Sequence, residues 1–231
     1  MDKSGMPSEI PIGLEHLEWI ASLSASAASK SAYLSIEQRD LQIIGTSLST
    51  FYQAATCHRK CHGGGHLLER LVGRMYNLSC AAYSLITLGF YDEALSMIRS
   101  IGEISNFLSL SLQDNNAIKE WISSDKKTRL RNFSPVNVRK RIEEKGGMML
   151  ATQEWYSTLS EDYIHPTPNT KPNMHNKEDI AVAGGVIQEQ GAQVAIRNLA
   201  YITGPTALMV CAYFKFDDVL QELKKFYESD T

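Results

Sequence analysis

Apolar side chains recur every three or four residues along most of this chain, and clean two-residue alternation is missing, which predicts helices and no strands. The clearest stretch opens near His66. Leu67, Leu68, Leu71, Met75, Leu78, Ala82, Leu85 and Ile86 fall within about a third of a helix circumference. Gly89 ends that helix and the next begins within a few residues, with Ala94, Ile98, Ile101, Ser105, Leu108 and Leu112 as its buried stripe. A connection this short makes the two helices antiparallel neighbours. Their hairpin is the expected centre of the fold.

Weaker periodicity surrounds it. A first helix is predicted from about Leu14 to Leu34. Ser35, with Gln38 three residues on, has the form of a capping box for a second, whose stripe is Leu41, Ile44, Leu48, Phe51 and Ala55. That helix should end near Cys57 to His62, because Gly63-Gly64-Gly65 cannot cheaply continue it. Beyond the hairpin, Asp114 caps a short helix through Trp121 and a basic, loop-like stretch follows. Ser134-Pro135 then supplies an N-cap and a first-turn proline. A helix over Met149 to Tyr163, a loop from His165 to Asn176, and a long apolar helix after Gly184-Gly185 complete the middle. Gly204-Pro205 should kink or split that long helix, and Asp217 should cap the last one, to about Tyr227. The prediction is an all-α fold, a multi-helix bundle of about seven to nine helices built on an antiparallel helical hairpin, with no significant sheet. It is a single domain over residues 1–231, in which an N-terminal helical pair (1–62) packs on a 66–231 bundle.

Composition supports a packed core: 43% of the 231 residues are apolar and 21% are charged, which excludes a disordered chain. A net charge of −3 gives no global pull toward nucleic acid. Lys126, Lys127, Arg129, Arg131, Arg139, Lys140 and Arg141 nevertheless crowd one stretch, either a solvated face or a site for RNA or nucleotide phosphate. The start, MDKSGMPSEIPIG, lacks the features of a signal peptide, so a cytoplasmic location with free thiols at Cys57, Cys61, Cys80 and Cys211 is expected. Between Gly191 and Phe214 the single charge is Arg197, and the length would span a bilayer. Gln193, Asn198, Thr203 and Gly204-Pro205 interrupt the apolar run, which favours a helix buried in protein, with no membrane partner.

Three clusters bear on chemistry. Arg99 and Glu103 stand one turn apart on a face away from the main stripe. They form either an exposed pair worth about 0.3 kcal/mol or, with Phe107 and Leu110 burying that side, part of an interior site. His165 follows a helix end, with Glu161 and Asp162 before it and Pro166 after it. Its imidazole can act as a general base, bind a metal, or simply cap the helix carbonyls. Cys57, Cys61, His62 and His66 offer four metal-ligand types within ten residues, a spacing open to zinc and equally to small apolar thiols in a helix. No phosphate loop, nucleophile elbow or HExxH helix occurs, so no cofactor is expected.

The Gly89–Glu103 segment, with its alanine, apolar residues and Arg99-Ser100-x-x-Glu103, together with Leu159-Ser160 to His165-Pro166, resembles bacterial helical proteins allied to the HEPN superfamily. The resemblance covers His66 to Phe214, about two-thirds of the chain. It implies a helical bundle that dimerises, here as a homodimer, with Tyr76 and Tyr83 giving the third helix a second face. Active HEPN members resemble one another in an Arg-x4–6-His motif that cleaves RNA without metal. Before His165 the corresponding positions are Ser160, Leu159 and Thr158, none of them Arg, and Arg59 with His66 is the pair that has the spacing. The resemblance therefore implies first a non-catalytic interaction or ligand-binding module in bacterial stress or phage defence, rather than an enzyme. Its alternative is a metal-independent RNA-cleaving or nucleotide-handling enzyme in which Arg99, Glu103 and His165 converge.

Overall fold

The computed structural model describes residues 10–31, 34–61, 63, 65–168, 170–172 and 183–228. Among them are ten helices and no strand. In chain order these are α1 (Leu14–Ser31), α2 (Gln38–Ala55), α3 (Leu67–Thr87), α4 (Tyr91–Gln113), α5 (Asn115–Ser123), α6 (Lys126–Asn132), α7 (Pro135–Glu144), α8 (Gln153–Tyr163), α9 (Glu189–Phe214) and α10 (Asp217–Glu228). The architecture is an all-α bundle.

The hairpin of α3 and α4 forms the most extensive helix pair. Its turn closes through Leu88 N–H on the Ser84 carbonyl (3.1 Å) and Phe90 N–H on the Leu85 carbonyl (2.9 Å), with Gly89 left-handed at φ +79°. A Cβ on Gly89 would fall 2.7 Å from the Val186 backbone, and Val186 N–H donates to the Gly89 carbonyl. The turn that ends α3 thus also docks the segment leading into α9.

Helix α9 lies against α2 and α4, with Ala192, Ala195, Leu199, Ile202 and Ala207 buried, and Thr206 Oγ1 reaches Ser105 Oγ of α4 at 3.0 Å. It is long and apolar enough to cross a membrane, and 61% of its most apolar stretch is buried inside the bundle. Gly204-Pro205 does not split it. Helix continues to Phe214, held by packing from both sides, and the Thr203 and Thr206 hydroxyls bond the carbonyls four residues back.

Side chains from α2, α3, α4, α8, α9 and α10 share one apolar cluster that includes Phe51, Met75, Tyr91, Leu95 and Ile98. A smaller cluster of Phe107, Leu110, Ala117, Val138 and Ile142 joins the second half of α4 to α5 and α7. Helix α4 is therefore buried on both sides along its second half, and it organises the molecule.

Four expectations are corrected. Ser35 and Gln38 form no capping box, because Glu37 is the N-cap of α2 and makes no side-chain cap bond, while the Ser35 carbonyl accepts from Gln193 of α9. The basic stretch is not a loop: Asp125 accepts from Thr128 N–H at 2.7 Å and starts α6. Helix α8 begins at Gln153 rather than Met149, since the backbone at 150 and 151 is bonded elsewhere, as described below. Ten helices replace seven to nine as a result. The Tyr76 ring meets Tyr52 within the chain at 5.4 Å, which leaves Tyr83 as the exposed tyrosine of that face.

Candidate functional site

The α4–α8 contact is fixed by one asparagine. Asn106 is buried, and its amide nitrogen donates to the Ala151 carbonyl (2.7 Å) while its oxygen accepts from Leu150 N–H (3.0 Å) and Ala151 N–H (2.9 Å). Ser109 donates to the Met148 carbonyl beside it. Residues 148–151 are thereby held on α4, and α8 starts immediately after, capped by Thr152. Further along, Gly102 lets the Trp155 ring approach, and the indole N–H donates to Asn198 of α9 at 2.8 Å. Ser96 closes the far end by donating to the Tyr163 carbonyl.

With α8 held in this way, its Tyr156 and Ser160 face Arg99 and Glu103. Arg99 Nη1 lies 3.0 Å from Glu103 Oε1, Nε donates to Ser160 Oγ at 2.6 Å, and Nη2 donates to the Tyr156 hydroxyl. Tyr156 in turn donates to Glu103 Oε1 at 2.8 Å. Arg99 is 16% exposed and Glu103 36%, so this is a partly buried network rather than an isolated surface pair. A second guanidinium joins it. Arg139 of α7 is buried and donates to Gln153, and its guanidinium carbon lies 4.5 Å from the Tyr156 ring centre; that of Arg99 lies at 4.1 Å.

Electrostatics assigns roles here. Burial lowers the Arg139 pKa against the opposing pull of Tyr156 and Glu103, yet an arginine stays charged at neutral pH. Burial, and then the bond to Glu103, raise the Tyr156 pKa, so its phenol keeps its proton and serves as a donor. Two guanidinium charges thus share one carboxylate.

Beside this network opens a cleft of about 270 Å³, lined by Ile104, Phe107, Trp121, Phe133 and Val138, with Glu103 and Arg139 at its polar edge. The Phe107 ring lies 5.1 Å from Trp121 and 6.0 Å from Phe133. Arg141 covers Phe133 at 4.8 Å and pairs with Glu120 at 2.9 Å. The basic stretch Lys126–Arg141 therefore forms α6 and most of α7 next to an aromatic cleft, with Lys126 and Lys127 exposed.

Of the residues singled out by sequence, Arg99 and Glu103 meet directly. His165 follows the C-terminus of α8 with its N–H on the Ser160 carbonyl (3.0 Å) and its imidazole exposed. No hydrogen bond or ion pair among the described residues joins that ring to Arg99 or Glu103. Elsewhere, between α2 and α3, Cys57, Cys61 and His66 bring ligand atoms within 4.8 Å of one another, while His62 lies outside the described residues. Tyr156 has no role in the sequence reading, while Arg139 figures there only in the basic stretch and Ser160 only in the Leu159-Ser160 motif, neither beside Arg99 and Glu103. The available signal was that Tyr156 and Ser160, one turn apart, repeat the spacing of Arg99 and Glu103. Comparison of the chain with protein-family models, with curated proteins and with solved structures finds no match in any of the three.

Proposed function

We propose that this chain is a HEPN-like, non-catalytic ligand-binding module, and that its ligand is a flat anion of the nucleotide class held in the cleft between α4, α5 and α7. The observation behind this is an aromatic wall beside a buried cation: Phe107, Trp121 and Phe133 adjoin Arg139, and one carboxylate faces the two guanidiniums. Aromatic rings suit a base by stacking, and guanidinium suits phosphate by paired hydrogen bonds. A non-catalytic role is favoured because Glu103, Ser160 and Tyr156 take three of the five N–H donors of Arg99 and tie its guanidinium into a structural network. A homodimer acting in a bacterial cytoplasm, in stress or phage defence, belongs to the same proposal through the resemblance. Titration calorimetry with AMP, ATP and GTP, beside inorganic phosphate, tests it. Saturable nucleotide binding, weakened about tenfold by Trp121→Ala, is the expected result. A natively folded chain that ignores millimolar nucleotide, or a Trp121→Ala variant that binds unchanged, overturns it.

One observation favours RNA cleavage as a second reading. Ser160 receives Arg99 through its hydroxyl and the His165 N–H through its carbonyl, so Arg99 and the backbone of His165 share one residue. Incubation with mixed RNA in chelator, beside His165→Ala, decides it. Cleavage lost in the variant supports the reading, and equal inactivity of both chains removes it.

A further inference from the structure

Away from the cleft, the connection between α2 and α3 gathers two thiols and an imidazole. Cys57 Sγ lies 3.7 Å from His66 Nδ1, and Cys61 Sγ lies 3.9 Å from His66 Nε2. A tetrahedral zinc ion, with Zn–S of about 2.3 Å and Zn–N of about 2.0 Å, requires sulfur–nitrogen separations of about 3.6 Å. The two sulfurs approach opposite nitrogens of one ring, and one ligand atom from each of the three residues lies within 4.8 Å of the others, about an ångström outside that spacing before any ion draws them together.

Two independent features point the same way. Among the described residues, three non-glycine residues have positive φ, and two of these are Cys57 (φ 52°) and His66 (φ 50°). Residue types that rarely adopt this conformation adopt it at both ends of the connection, where the ligand atoms of Cys57, Cys61 and His66 lie within 4.8 Å of one another. The second feature is Glu69. Its side chain is 8% exposed, and its ionic partner among the described residues is His66, with Oε1 3.6 Å from Nδ1. A carboxylate so placed orients a metal-bound histidine through the ring nitrogen that does not touch the ion. Arg59, between the two cysteines, is drawn off to Asp218 of α10 and stacks on Phe216, so its charge is engaged elsewhere.

We propose that Cys57, Cys61 and His66 form a binding site for a divalent ion of the zinc type, with Glu69 behind His66 and the fourth position open to solvent. Binding deprotonates both thiols, releasing two protons to solvent, and the two thiolates cancel the charge of the ion. His66 coordinates through Nε2, beside Cys61; Cys57 Sγ then swings to the ion from its contact with Nδ1, which keeps its proton for Glu69. The ion ties the end of α2 to the start of α3 and so braces the entrance to the central hairpin. Nothing in this site depends on the cleft.

The test is cobalt titration of the full chain, stripped with chelator and kept reduced. The expected result is thiolate-to-cobalt charge-transfer absorption that saturates at one equivalent and is abolished by added zinc. Cys57→Ser, Cys61→Ser and His66→Ala should each weaken cobalt binding by about tenfold or more, and Glu69→Gln by about tenfold with the charge-transfer intensity retained. Cys80→Ser serves as the control and should bind as the parent does. The proposal is overturned if the parent chain, with native circular dichroism, shows no charge-transfer absorption at millimolar cobalt. Cobalt binding by the Cys57→Ser and Cys61→Ser variants as tight as the parent's overturns it as well.

Discussion

At the scale of single residues, Asn106 matters most to the site while touching none of its charges. It meets three backbone groups of the segment before α8, all in the interior. Truncating it leaves two buried N–H groups and one carbonyl without a partner, and an unsatisfied buried group costs more than a satisfied one contributes. Asn106→Ala should therefore lower stability by roughly 3 kcal/mol, seen in urea unfolding as a reduced midpoint at constant slope. A loss below about 1 kcal/mol would mean that water replaces the amide, and that the segment is not held as described. The same truncation should release α8 and with it Tyr156, so any ligand of the cleft should bind more weakly as well.

At the scale of helices, two glycines test whether packing or intrinsic propensity sets the energetics. A Cβ on Gly102 would fall 2.5 Å from Trp155 and 3.0 Å from Ala151, whereas one on Gly45 of α2 meets nothing within 4 Å. Alanine is favoured over glycine inside a helix by about 1 kcal/mol, while forcing volume into a packed contact costs about 1–3 kcal/mol. Gly45→Ala should raise the melting temperature and Gly102→Ala should lower it. Two shifts of the same sign would refute the close α4–α8 approach. The elements themselves were legible wherever local chemistry specifies them. The apolar repeat and Gly89 mark the hairpin, Asp114 caps α5 by accepting from Asn116 N–H, and Pro135 opens α7. Helix α6 was not legible, because KKTRLRN has no apolar repeat and its start depends on the Asp125 cap. Nor was the continuity of α9 through Pro205, which neighbouring helices impose. The site divides in the same way. Arg99 and Glu103 meet by helical spacing alone, whereas Tyr156 and Ser160 join them across more than fifty residues of intervening chain and Arg139 enters through the Tyr156 ring, where no periodicity reaches.

For the molecule as a whole, stability should fall at both extremes of pH, for separate reasons. Lys145, bonded to the Asp114 carboxylate at 3.1 Å, holds its pKa below the usual range, with help from the N–H groups of α5. A depressed carboxyl pKa contributes stability above the ordinary carboxylate range, and that contribution is lost as pH falls through the folded value. Asp114→Asn keeps a cap but drops the ion pair, so the parent should melt higher than the variant at pH 7 and the gap should narrow as pH falls below the ordinary carboxylate range. A gap that persists in acid would show that the ion pair is not its source. At the other extreme is Cys211 of α9, buried against Thr50 of α2, whose thiol burial pushes up to about 11 from 9.0. A raised pKa favours the protonated, folded form, so its contribution is complete below the ordinary value and is lost as pH rises toward the folded one. The same burial makes this thiol a reporter of opening. In a chain keeping only Cys211, after Cys57→Ser, Cys61→Ser and Cys80→Ser, a thiol reagent at pH 8 should react only through unfolding. The labelling rate should then climb with urea along the slope of the global transition, because α9 packs on both α2 and α4 and cannot release Cys211 without parting the core. A rate independent of urea would mean that α9 opens locally, and that the bundle does not unfold as one unit.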